Sequence, residues 1–131
     1  MHKILQPEGW AEPKGYANGI AATGRHVFVA GQIGWNSQCV FEARDFVGQF
    51  RQALENVVAV LAEAGADPEH VTTMTWFVTD KAAYLHDARA IGAIWREIMG
   101  RNYPAMAVIQ VVALIEDAAQ IEIQAQAVVP A

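Results

Sequence analysis

The chain has 131 residues, enough for a single domain spanning 1–131 around one core. It is 53 % hydrophobic, with four Trp, five Phe and three Tyr, which points to surface hidden in a partner. A net charge of −5, with nine scattered Lys and Arg, argues against nucleic-acid and anionic-membrane partners, because phosphate contacts need clustered cations.

In chain order, the opening stretch with Pro7, Gly9, Pro13 and Gly15 reads as irregular up to a short strand at 16–20. Gly24 makes a turn. Residues 26–33 follow as a strand, with Gly31 near its end as a glycine of close backbone approach. Residues 34–40 read as a loop or ragged strand. From 42 to 64 the period changes: Phe46, Phe50, Leu54, Val57, Leu61 and Ala64 form one stripe of a helix, and Gly65 stops it. Val71–Val78 is β-branched and aromatic, hence a strand. Asp80 stands where an N-cap belongs, ahead of a second helical stripe of Tyr84, Ala88, Ile91, Trp95 and Ile98 that ends at Gly100. Two strands close the chain around a turn at Glu116 and Asp117. The first, 103–114, is apolar on both faces; the second, 120–128, alternates with period two.

The order β-β-(β)-α-β-α-β-β predicts an α+β layer arrangement. Two helices cannot cover both faces of a five- or six-stranded sheet, so they should share one. The apolar second face of 103–114, with Val108 and Val112, then calls for a subunit partner under closed symmetry. Cys39 is the lone cysteine, so no intrachain disulfide forms. With no apolar leader and no run of membrane-spanning length, the expectation is a cytoplasmic protein with no membrane partner.

Glu122 stands out among residues that could carry chemistry. It sits in the alternating strand beside Gln124 and Gln126, next in sequence to a strand that expects cover on both faces. Partial burial there suits a carboxylate to proton transfer. His2, His26, His70 and His86 lie far apart without metal-ligand spacing, so no metal site is expected. Ser37 and Cys39 lack a nucleophile motif, and the GxxG at 31–34 lacks basic surroundings.

Several segments together resemble the RidA/YjgF family, also called endoribonuclease L-PSP-like. They are Gly15-Tyr16, Ala30-Gly31-Gln32-Ile33, Leu54-Glu55-Asn56-Val57, Phe77-Val78-Thr79-Asp80, Tyr103-Pro104-Ala105-Met106 and Ile121-Glu122-Ile123-Gln124-Ala125. The resemblance implies a chorismate-mutase-like mixed sheet with two helices on one face, packed as a homotrimer with ligand clefts between subunits. It implies hydrolysis of reactive enamines and imines without metal or organic cofactor. Glu122 would position the attacking water, Tyr16 would help enclose the substrate, and Ala30 and Gly31 would line the cleft. Tyr84 and Val108 join them as substrate-binding candidates. Met106 stands where active members carry the arginine that holds the substrate carboxylate, and a methionine cannot form that bidentate pair. The substrate is therefore expected to differ from a simple 2-imino acid. Arg101 and Arg25 are candidate replacements, while Trp35 and Trp10 could line a more apolar site. A non-enzymatic small-molecule binding module on the same scaffold is the alternative.

Overall fold

Apolar residues at every second position of the last strand must face one way, and that rule sets the orientation of the whole sheet. The computed structural model describes residues 2–131. A four-stranded mixed sheet runs in the order β3 (Arg25–Ile33), β6 (Ile121–Val129), β4 (Val71–Val78), β5 (Ala105–Gln110). Only β4 and β5 are parallel. Three helices lie along one face: α1 (Phe46–Glu63), α2 (Lys81–His86) and α3 (Ala88–Met99). The core is the layer between, where Ile121, Ile123, Ala125 and Ala127 of β6 and Met74, Trp76 and Val78 of β4 meet Phe50, Leu54, Val57 and Leu61 of α1 and Ile91, Trp95 and Met99 of α3. This is the α+β mixed sheet expected from the sequence.

Several elements differ from expectation. Lys3–Leu5 forms β1 and pairs with β2 (Gly19–Ala21) in a separate two-stranded sheet, so the main sheet has four strands instead of five or six. All three residues of β1 are exposed, and three exposed residues carry no alternation to read. The first helix starts at Phe46 because Ala43 and Arg44 give their carbonyls to the side chains of Gln49 and Gln120. The second helical stripe is broken at Asp87, where α2 closes and α3 begins, making three helices instead of two. Asp80 does cap α2, its Oδ1 accepting the N–H groups of Ala82 and Ala83.

The largest departure concerns the strand read over 103–114. It ends at Gln110, where β4 ends: the bond from the Val111 N–H to the Val78 carbonyl, at 2.9 Å, is the last of the parallel ladder. It is also an edge strand, and β4 stands between it and β6, so Glu122 does not neighbour it. Val108 pairs with Trp76 and therefore points to the helix face, while Val112 lies past the strand with a relative exposure of 104 %. The face opposite the helices carries Phe28, Thr73, Thr75, Glu122, Gln124, Gln126 and Ile109, with Phe28 and Ile109 exposed in the single chain.

Gln49 ties the crossover before β6 to the helix layer. It is 0 % exposed, donates to the Ala118 and Ala43 carbonyls at 2.9 and 3.3 Å, and accepts the Gln120 N–H at 2.8 Å. Gln49→Leu fills the volume but strands those backbone groups. It is expected to cost about 2–4 kcal/mol, read from the urea midpoint. A loss below about 0.5 kcal/mol would show that these bonds do not hold the crossover.

Candidate functional site

β3 is interrupted opposite the middle of β6. Val29 pairs with Ala125 and Gln32 with Ile123, so three steps on β3 match two on β6 and a bulge opens at Ala30-Gly31. Glu122 stands on the helix-free face, paired with Ile33 on one side and Phe77 on the other. Its side chain leans across the bulge. A Cβ built on Gly31 would lie 2.7 Å from the Glu122 carboxyl carbon, so only glycine leaves the carboxylate room there. The carboxylate is half-buried, and no ion pair reaches it among the described residues. Beyond the bulge, Asn56 on α1 donates to the carbonyls of Ile33 at 3.0 Å and Trp35 at 2.8 Å, fixing the path by which β3 leaves the sheet.

A second group assembles on the other face, at the β5 edge. The opening segment docks there through a parallel bridge from Ala17 to Ala105 and a 3.0 Å bond from the Ala17 N–H to the Pro104 carbonyl. That contact carries Lys14, Gly15 and Tyr16 to Met106. With Tyr84 and Val108 they line a cavity of about 210 Å³. An adjoining cavity of about 280 Å³ shares Lys14, Gly15, Tyr84 and Met106 and continues under α3 to Trp76, Trp95, Tyr103 and Arg96. Met106 pairs with Met74, which fixes it on the helix face.

The expected site residues thus fall into two sets. Glu122, Ala30 and Gly31 belong to the open face, and Tyr16, Tyr84, Met106 and Val108 to the helix face at the far edge, with β4 between them. A single chain does not bring the two sets into one cleft. Trp35 joins neither: it packs on Phe41 with ring centroids 5.8 Å apart. Trp10 is exposed and lines neither cavity. Arg25 pairs with Val129, at the opposite end of β3 from the bulge, and donates to the Ala64 carbonyl at 2.8 Å. Arg101 opens onto a different cavity, shared with His2, Ile4 and His70. The cations beside Met106 are instead Lys14 and Arg96. Sequence reasoning passed over both, and read Trp95 only as part of a core stripe.

Asp67, Glu69 and His70 bring potential metal-ligand atoms within 4.8 Å of one another. Asp67 and His70 form the cap of a short helical turn, where His70 Nδ1 accepts the Asp67 N–H at 2.8 Å, and Glu69 lies 3.9 Å from His70 Nε2.

A family model described as Endoribonuclease L-PSP matches residues 10–129. The chain belongs to that family, the Rid/YjgF proteins. It is 33 % identical over 132 residues to the Escherichia coli protein named "Putative reactive intermediate deaminase TdcF", covering 98 % of each chain. A RutC family protein of Pasteurella multocida is 34 % identical over 109 residues, covering 80 % of this chain and 81 % of the relative. Among solved structures, YyfB of the conserved Rid protein family from Yersinia pestis superposes with a TM-score of 0.86 at 29 % identity, covering 98 % of both chains. The YjgF gene product from E. coli superposes with a TM-score of 0.67 at 31 % identity, covering 86 % of this chain and 87 % of the other. In this Rid protein the bulge glycine and the carboxylate over it form one unit. Gly31→Ala should leave the fold intact while the flexible Glu122 side chain swings off residue 31. A crystal structure of the variant with the carboxylate still seated there would contradict the packing argument.

Proposed function

We propose that this Rid protein hydrolyses reactive enamines and imines, releasing ammonia, with Glu122 as the general base. The observation that carries the reading is the Glu122 carboxylate seated over the Gly31 bulge, half-buried and free of ion pairs among the described residues. The deaminase name borne by the E. coli relative supports the reaction class. The chemistry asks little of a protein. The carboxylate takes a proton from water as the oxygen bonds to the C=N carbon. The C=N electron pair moves to nitrogen, which gains a proton, and the carbinolamine then collapses to a carbonyl and ammonia. Positioning the water and receiving its proton are within reach of a sparse site.

The complete cleft is proposed to form between copies. The open face of one chain, with Glu122, would meet the β5 edge of the next, with Tyr16 and Met106. Exposure of Phe28, Val108 and Ile109 in the single chain supports burial against a neighbour. Closed symmetry follows from a heterologous contact that does not run on into a fibre, and the family resemblance suggests three subunits. Light scattering is expected to give three times the chain mass of 14.3 kDa; a monomer at micromolar concentration would remove the intersubunit cleft.

Glu122→Gln keeps the shape of the side chain but cannot take a proton. Turnover of reactive imines is expected to fall about 10²–10⁴-fold with assembly unchanged. Ammonia release from a panel of imines reads this, and undiminished turnover would take Glu122 out of the mechanism.

Met106 favours a second reading, a small-molecule binding module on the same scaffold, because the family guanidinium is absent from that position. Ligand-induced thermal stabilisation without ammonia release from any member of the panel would select it.

A further inference from the structure

Gln6 and Asn18 stand where the two-stranded sheet opens into a loop. The ladder ends with Leu5 opposite Gly19, and the side chains of the next residue on each strand meet, Asn18 Nδ2 donating to Gln6 Oε1 at 2.8 Å. The nitrogen of the same amide reaches into the loop. Gln6 Nε2 donates to the carbonyls of Trp10 at 3.3 Å and Ala11 at 3.2 Å. Carbonyls only accept, so these two bonds fix which way round the Gln6 amide lies and leave its oxygen for Asn18. One half-buried side chain thus gathers Trp10, Ala11 and Asn18 around itself.

The same loop carries Tyr16 to the β5 edge, where it lines the 210 Å³ cavity with Met106 and Val108. After Tyr16 the chain is secured by Ala17, which is 5 % exposed and donates its N–H to the Pro104 carbonyl at 3.0 Å. Before it, residues 12–16 make no hydrogen bond of their own among the described residues. Gly15, at φ 80°, takes the left-handed turn that glycine favours, immediately ahead of the tyrosine. The hold of Gln6 on Trp10 and Ala11 is therefore the last tie before Tyr16, whose own side chain is 42 % exposed. Each of these partly exposed bonds is weak, but three made by one amide act together.

We propose that Gln6 is a positioning residue: through Trp10, Ala11 and Asn18 it holds Tyr16 at the β5-edge cavity. Without it the loop samples other conformations, and apparent ligand affinity falls by the fraction of chains in which Tyr16 is in place. The consequence for substrate rests on the deaminase reading; the placement of Tyr16 does not.

Protein labelled with 3-fluorotyrosine gives three ¹⁹F signals, one for each tyrosine, and a Tyr16→Phe sample assigns the one concerned. Gln6→Leu keeps the approximate size of the side chain and removes all three bonds. It should move the Tyr16 signal toward that of free fluorotyrosine, while Tyr103, stacked on Trp95 at 6.1 Å, keeps its own. An unmoved Tyr16 signal would overturn the proposal. So would a Tyr103 shift as large as that of Tyr16, since it would report general loosening instead of placement. Where an imine is turned over, Gln6→Leu should raise KM about tenfold with kcat within about twofold of the parent. In a Tyr16→Ala background the same substitution should add nothing, and an equal effect with and without Tyr16 would overturn the route through that ring. If no imine is turned over, the deaminase reading fails, and the fluorine spectra still decide whether Gln6 holds Tyr16.

Discussion

Glu122 and Ile123 are adjacent in a strand, and adjacent strand residues point to opposite faces. That constraint governs the molecule. Ile121, Ile123, Ala125 and Ala127 are drawn to the helices because burying them removes apolar surface from water, at about 25 cal/mol per Å². The carboxylate between them is thereby committed to the other side. A slip of one residue would bury Glu122 and expose four core residues, so packing holds the register and the register holds the site. The Ala30-Gly31 bulge completes the arrangement by removing one β3 side chain from the space the carboxylate occupies.

The same constraint separates the two sets of site residues. Met106 and Val108 share the helix face with Met74 and Trp76 through the parallel β4–β5 pairing, so they cannot turn toward Glu122 in their own chain. The cavities beside them are lined by the docked opening segment and, in the larger one, by α3, and the cations at them are Lys14 and, in the larger one, Arg96. One face carries a carboxylate and the other a pair of adjoining cavities. An assembly that lays one chain's open face against another's β5 edge would unite them.

Much of the fold was legible because its long elements are strongly periodic. The α1 stripe buries Phe46, Phe50, Leu54, Val57 and Leu61, and β4 spans Val71–Val78 as read. The run over 103–114 misled because hydrophobicity measures what a segment would bury, whereas strand length depends on where backbone partners end, here at Val78. Asp87 broke the second helix without a glycine or proline to announce it. At the site, Glu122 and Gly31 were each visible in sequence, but the contact between them spans 91 positions and depends on register. Arg96 was hidden beside Trp95, in a stripe that reads as core, since a cavity leaves no periodic signature.

Subunit complementation tests the two-chain site most directly. One chain carries Glu122→Gln, and a second carries Tyr16→Ala with Met106→Glu, so each is defective in one half. Unfolded together, mixed and refolded, they should form some clefts in which an intact carboxylate faces an intact binding edge. With random assembly that is about a quarter of all clefts, and imine hydrolysis should return to ~25 % of the parent value although neither chain is active alone. If the mixed assembly forms and no activity returns, the two halves do not meet across a subunit boundary.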